Sequence, residues 1–413
     1  MTIKARLSCL PITRRYCFGP FIWRLAMGLL GCAFLFACAS VEANQTVYLQ
    51  MVTIGDKNNA ADTNGYGAVS FPYRIGKYLV TQSQYAAFLN AVAATDAYGL
   101  FDIRMQTNLN TAGITRSGSS GSYTYSTFGS GNQPISFLHW YTAARFVNWM
   151  HNGQPSGAQT ATTTEQGAYT LNGTSNGIIL KNAGAQFWIP TADEWYKAAY
   201  YDRTRNTGAG GYWLYPTRSD IPPGNILGSG SNNANIYVNG VGFSVTQTTT
   251  YFFSQNYLTD VGAYSGSASY YGTFDQGGDV LEWNDEVIAG VKRGLRGGSW
   301  PGSAAFLLSS YNPGVAPSTI REDYGLRIAT IAVPAVGTNE LMAPVIAISV
   351  SNVNFTIKAS VPGRSYQLQT RDDLAVGGWQ DYGLAQVGTG NDLMISIPYD
   401  PIVPHRFYRL KLY

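Results

Sequence analysis

The 413-residue chain carries 12% charged and 14% aromatic side chains and 46 glycines, which excludes a coiled coil or a disordered tail and points to a loop-rich, aromatic-cored protein. Its formal charge of +3 is set by the first 43 residues, where Lys4, Arg6, Arg14, Arg15 and Arg24 face one acid, Glu42; beyond them stand 22 basic and 23 acidic residues. That balance leaves no basic stripe for nucleic acid, which is therefore not expected as a partner, and the length predicts two domains.

Residues 1–43 read as an export signal. A basic segment ends at Arg24, Leu25–Ala37 is apolar, and Val41-Glu42-Ala43 offers a small residue for cleavage before Asn44. The alternative is a lipoprotein, because Leu35-Phe36-Ala37-Cys38 is similar to a lipobox; Cys38 is then the only expected membrane anchor, since the apolar run is short for a spanning helix. Either way the chain is expected to be exported, to the periplasm, the cell surface or the medium. All four cysteines (Cys9, Cys17, Cys32, Cys38) lie in this segment, so the mature chain has none. A disulfide framework, a thiolate metal site and a cysteine nucleophile are thereby excluded.

Alternation predicts a strand within 47–55 and a further pair within 65–81. Thr81 and Gln84 form a capping box, and Tyr85, Phe88, Leu89 and Val92 recur at helical spacing. Residues 107–133 read as a surface loop or hairpin. A second helix is expected from Pro134, capped by Ser136, with Ala143, Phe146, Val147 and Met150 inward and Gly153 at its end. His139 and His151 on it read as structural. Residues 154–183 read as a hairpin insertion, and Thr191 with Glu194 caps a third helix that packs through Trp195, Ala198 and Ala199. Asp193 and Glu194 then complement the helix dipole. Residues 333–344 read as a linker, and 345–413 alternate in short runs that predict a small all-β module, a sandwich.

Four motifs in order carry a resemblance: FWIPTADEWYKAA (187–199), GGDVLEW (277–283), LRGGSW (295–300) and YGLRIA (324–329). Together they resemble the sulfatase-modifying factor, or formylglycine-generating enzyme, family over residues 45–332. The resemblance implies an α+β fold similar to that of C-type lectins with much irregular coil, into which the helix-poor stretch 203–273 fits. It also implies Ca²⁺ at the GGDVLEW bend, with Asp275 and Glu282 and the carbonyls of Gly278 and Val280 as the matching ligands; the other reading has Asp275 capping a turn and Glu282 pairing with Arg296 or Arg327. A second calcium beginning at Asn235-Ile236 finds no matching acid.

The family's oxidases hold copper through two cysteines just beyond RGGSW. Here Gly302 and Leu307 occupy those places, and oxygen or nitrogen ligands do not replace a thiolate pair for Cu(I). No copper and no catalytic residue are expected, and His139, His151 and His405 are scattered with no recognisable catalytic motif. Asp260, Asp279 and Asp285 read as structural. The expectation is a non-catalytic binding or structural module for a protein, peptide or glycan ligand, with a cleft at Trp300, Ser303, Phe306 and Tyr311. The alternative is a divergent enzyme with a replaced active site.

Overall fold

The computed structural model describes residues 46–331 and, beyond them, 345–348, 352–357, 365–372, 378–388, 392–398 and 407–412. The segment read as an export signal with Cys38, the expected linker 333–344 and His405 lie outside the described residues. Ala39–Val333 forms one compact unit, and Pro334–Tyr413 belongs to another. No helix among the described residues is long and apolar enough to cross a membrane.

The first unit opens with strand β1 (Met51–Ile54), antiparallel to β2 (Tyr73–Gly76). Of the pair expected in 65–81 only Tyr73–Gly76 is strand; Gly65 and Gly67 both take positive φ and turn the chain ahead of it. Helix α1 (Gln82–Val92) starts at the expected box, with Thr81 accepting from the Gln84 N–H and Gln84 accepting from the Thr81 N–H. The predicted hairpin follows as Ile114–Ser117 against Thr124–Thr127.

Helix α2 (Trp140–His151) begins three residues later than a Ser136 cap implies. The reason is Phe137, whose φ of 58° is a left-handed conformation that a helix cannot contain. The cap is His139, whose Nδ1 accepts the Thr142 N–H at 3.0 Å. Burial and the nearby Arg145 charge lower its pKa to about 4, which keeps that nitrogen a free acceptor. His151, the last residue of α2, accepts the Gln186 N–H at 2.9 Å. The expected hairpin at 154–183 reduces to one antiparallel bridge, Tyr169 to Lys181, beside a wide turn at Ala161–Glu165. Strand pairing gives way there because Asn148 on α2 collects the carbonyls of Thr164 and Tyr169, and Arg145 pairs with Glu165.

Strand β3 (Phe187–Trp188) leads into helix α3 (Ala192–Tyr200) through the Thr191–Glu194 box. After the mostly irregular 203–273 come β4 (Leu281–Ile288), β5 (Lys292–Arg296), β6 (Gly314–Val315) and β7 (Tyr324–Gly325), in the order β6-β5-β4-β7 with β4 and β7 parallel. Strand β8 (Ala329–Ile331) then returns between β2 and β3, so the far end of the unit closes the sheet begun at residue 51. The core lies between these sheets and α1 and α2. Phe88 meets Phe146 at 5.4 Å and Trp149 at 5.2 Å, and all three are buried. Each such side chain contributes roughly 1.5–3 kcal/mol by leaving water.

The second unit is all-β among its described residues. One sheet joins Val345–Ile348, Asn352–Ile357 and Leu393–Pro398; another is built on Ser365–Arg371 with Phe407–Leu412. Alternate residues Phe355, Ile357, Ile395 and Ile397 of the first meet Tyr366, Leu368, Tyr408 and Leu410 of the second in one apolar cluster, the arrangement of a small sandwich. Arg409 lies over the Trp379 ring at 4.6 Å.

Removing a cap hydroxyl leaves a helix N–H without its partner. Thr81→Ala and Thr191→Ala are each expected to lower stability by about 1 kcal/mol, measured as a shift of the urea midpoint at unchanged slope. An unshifted midpoint would mean that the glutamine or glutamate of the box holds the helix start alone.

Candidate functional site

The GGDVLEW and LRGGSW motifs are fastened to each other. The Gly278 N–H donates to the Gly297 carbonyl, and the Trp300 N–H donates to the Asp279 carbonyl, both at 2.9 Å. Asp275, Gly278 and Asp279 all take positive φ. At Gly278 glycine is also required by space, since a Cβ would meet the Asn235 carbonyl oxygen at 2.4 Å. Asp279 is locked from the other side: its carboxylate accepts from the Asn235 amide (2.7 Å), the Thr259 N–H (2.9 Å) and the Thr259 hydroxyl (2.8 Å).

Below the bend, Glu282 and Arg327 form a fully buried, two-pronged ion pair. Arg327 Nε and Nη2 each donate to one Glu282 oxygen at 2.9 Å, and Trp195 Nε1 adds a bond at 2.7 Å. The rest of the guanidinium donates to the carbonyls of Gly76 and Phe274, both at 2.7 Å. Arg296 lies opposite Glu282 in the β4–β5 register but takes another role. Its guanidinium sits 4.4 Å and 5.0 Å from the Tyr66 and Tyr196 rings and donates to the carbonyls of Ser309 and Tyr311.

The two carboxylates of the expected calcium set thus have partners of their own within the protein. Both Glu282 oxygens are bound to Arg327, and the Asp275 Oδ2 accepts the Gly262 N–H at 2.6 Å; only the Asp275 Oδ1 is shielded and without a partner. Calcium takes 6–8 oxygens, and a carboxylate neutralised by a two-pronged arginine is a poor donor to a cation. Among the described residues no group of three or more His, Cys, Asp or Glu could hold a metal ion. Asp260, Asp279 and Asp285 have separate partners in Ser130, Asn235 with Thr259, and Arg293. Asp193 and Glu194 serve as local acceptors, Asp193 for the Gly67 N–H and Glu194 for Trp188 Nε1 and the Thr191 N–H.

Beyond LRGGSW a cleft of about 400 Å³ opens, walled by Phe306, Tyr311, Tyr324, Ser299, Arg321 and Asp323. Phe306 and Tyr311 meet edge to face at 5.0 Å. Buried Asp323 accepts the Ser299 hydroxyl at 2.8 Å and Arg321 Nε at 3.0 Å, leaving the rest of a half-exposed guanidinium at the cleft. Two of the expected residues fall outside. Trp300 is buried in a stack of aromatic rings, parallel to Tyr257 at 4.6 Å, and Ser303 precedes the short turn Ala304–Leu307. Gly302 does line the cleft, whereas Leu307 is fully buried beside Tyr215, Ala234 and Ile236. Sequence reasoning missed Ser299, Arg321 and Asp323; the available signal was the Arg-x-Asp spacing immediately before YGLR. An open polar groove of about 670 Å³ along Asp56–Thr63 and Arg203–Tyr212 holds none of the motif residues.

The cleft brings together aromatic faces, a partly free cation and one buried acid that holds it in place. No histidine lines it, and the Ser299 hydroxyl is already committed to Asp323.

Two expectations test the bend. Arg327→Met strands a buried carboxylate and should cost about 3–5 kcal/mol, with part of the loss recovered in Arg327→Met/Glu282→Leu; equal stability of the single variant and wild type in urea would refute the pair's role. The second concerns pH. Burial raises the pKa of Asp275, and burial together with the Asp275 charge raises that of Asp279. Each therefore binds its proton more tightly folded than unfolded. The stability this contributes is fully present below about pH 4, the unfolded value, and is lost as pH rises through the folded values. Asp275→Asn keeps an acceptor for Gly262 and cannot ionise. It should melt above wild type at about pH 8 and lose that advantage toward about pH 4; parallel melting profiles would exclude Asp275 as the titrating group.

A family model described as the sulfatase-modifying factor enzyme 1-like domain matches residues 47–332. Among solved structures, CarF is 20% identical over 70% of this chain and 100% of its own, with a TM-score of 0.40. Treponema denticola variable protein 1 is 18% identical over 70% of this chain and 98% of its own, with a TM-score of 0.37. PvdO from Pseudomonas aeruginosa is 14% identical over 69% of this chain and 92% of its own, with a TM-score of 0.36. Sequence comparison with curated proteins yielded no match. The matched domain spans more than half of the chain and contains both fastened motifs, so the protein belongs to the sulfatase-modifying factor (FGE-sulfatase) family.

Proposed function

We propose that this family member is an exported, non-catalytic binding protein whose ligand, a peptide or glycan, enters the cleft between Phe306, Tyr311 and Arg321. The observation that carries the reading is at the two positions where the resemblance puts the copper thiolates. Gly302 has no side chain to offer, and Leu307 is turned into an apolar cluster. The chain beyond Cys38 contains no cysteine at all, and imidazole is missing from the cleft as a substitute. What the cleft retains suits recognition: aromatic rings give contact area at low entropic cost, and the arginine supplies a planar pair of donors.

The reading is tested in two assays on the mature chain. Incubation with a cysteine-bearing sulfatase-motif peptide, copper and O₂ is expected to give no aldehyde above a protein-free control; aldehyde formation would overturn the non-catalytic assignment. Labelled protein applied to peptide and glycan arrays is expected to mark a discrete ligand set, with signal reduced at least tenfold (about 1.4 kcal/mol or more) in Phe306→Ala and Tyr311→Ala. Array signal indifferent to both substitutions would place binding outside the cleft.

A further inference from the structure

Between Asp220 and Asp260 the chain runs 39 residues, 221–259, without one Asp, Glu, Lys or Arg. In this near-neutral protein that stretch also carries a large share of the exposed apolar side chains: Ile221, Ile226, Leu227, Val245, Phe252 and Phe253, the last 83% exposed. The loops bearing them adjoin one another. The Asn225 amide donates to the Gly242 carbonyl (2.8 Å), and the Ser244 hydroxyl donates to the Asn225 carbonyl (2.7 Å). Leu109, exposed as well, neighbours Asn110, which clamps the tip of the Tyr251–Gln255 loop.

The tip is built rather than slack. Buried Asn110 donates to the carbonyls of Phe252 (3.1 Å) and Gln255 (2.8 Å) and accepts the Tyr251 hydroxyl at 2.5 Å. The Phe252 N–H donates to the Tyr257 hydroxyl at 2.8 Å. Behind the tip, Tyr251, Tyr257 and Trp300 stack with ring planes within 10° of one another. Two phenylalanines are thus held outward on a loop tied at the Phe252 and Gln255 carbonyls and the Phe252 N–H, at the cost of apolar surface left in water.

We infer that residues 221–259 form a self-association surface on which a second copy of this chain docks about a two-fold axis. The absence of charge suits this occupant. A two-fold interface sets each patch against its own copy, so a patch of one sign would repel itself. Here the patch has no charge, and beyond residue 43 the chain's 22 basic and 23 acidic residues leave no net repulsion between approaching copies. Interface centres are depleted of charge and enriched in aromatic residues, as this stretch is. Its 18 exposed residues approach the 20–30 that each side of a standard interface contributes.

The test is sedimentation of the full mature chain over a wide concentration series, with Phe253→Asp, Phe253→Lys and an equimolar mixture of the two. Wild type is expected at twice the monomer mass at the upper concentrations. Each single variant is expected at monomer mass, because the two-fold axis brings like charges together, and the mixture is expected to recover the dimer. Phe253 is solvent-exposed, so all variants should keep the wild-type melting temperature. A wild type that stays monomeric overturns the inference, and so does a dimer that neither variant disturbs. A monomer that binds neutral phosphatidylcholine vesicles through Phe253 would also overturn it, assigning the patch to a membrane surface.

Discussion

The unit 39–333 depends on the Glu282–Arg327 pair. One guanidinium reaches β2 through the Gly76 carbonyl, the approach to the bend through Phe274 and strand β4 through Glu282, while Trp195 joins α3 to the same carboxylate. Three of the four sequence motifs, and strand β2 through Gly76, 251 residues before Arg327, thus share one buried charge pair. Desolvating two ions costs several kcal/mol each, so such a pair is weak evidence of net stabilisation. Its contribution is specificity of assembly: a misplaced β2, α3 or β4 leaves a charge or a carbonyl buried without a partner. A cation at the bend would compete with Arg327 for the same two oxygens, and the arginine, covalently present and bound at both prongs, already fills that place.

The family assignment and the starts of α1 and α3 were legible in the sequence because they rest on local chemistry. A capping box is a three-residue relation, and both boxes lie where Thr81 and Thr191 put them. The late start of α2 was not legible, because Phe137 is held in a left-handed conformation by a tertiary bond from its N–H to the Arg321 carbonyl. The cleft was half legible. Phe306 and Tyr311 follow from their distance beyond RGGSW, but Trp300 faces inward toward Tyr257 and Phe243, a direction that only the packing of 243–257 decides. Ser299 and Asp323 meet across 24 residues, a separation that no spacing rule reads.

The low charge of the chain has a structural counterpart in its asparagines. Irregular coil exposes backbone carbonyls that sheets and helices would pair, and a buried loop must satisfy them otherwise. An asparagine amide brings two donors and an acceptor without the desolvation cost of an ion. Asn148 ties 164 to 169, Asn225 ties 236 to 242, Asn235 ties 257 to 279, and Asn110 ties 252 to 255. Sequence reading treats Asn-rich stretches as loops, which is correct, and misses that these particular side chains are buried struts. The irregular half of the domain is as determined as its sheets, by amides rather than by strand ladders.

That mode of construction also explains how the cleft and the uncharged face coexist on one frame. The stack that carries the Phe252–Phe253 tip ends on Trp300 of LRGGSW, and the residues directly before and after Trp300, Ser299 and Pro301, line the cleft. Trp300 is therefore a shared wall: its ring supports one surface while its backbone, bonded to Asp279, fixes the other. A thiolate pair beyond this tryptophan would need residues 302 and 307 to point into the cleft together. Here Leu307 is drawn into the opposite cluster, and Gly298 accommodates it, since a Cβ there would meet the Leu307 side chain at 2.4 Å. The segment after LRGGSW is packed as an aliphatic support. Once Leu307 is the piece that anchors it, returning that position to the cleft would empty the core beside Tyr215 and Ile236.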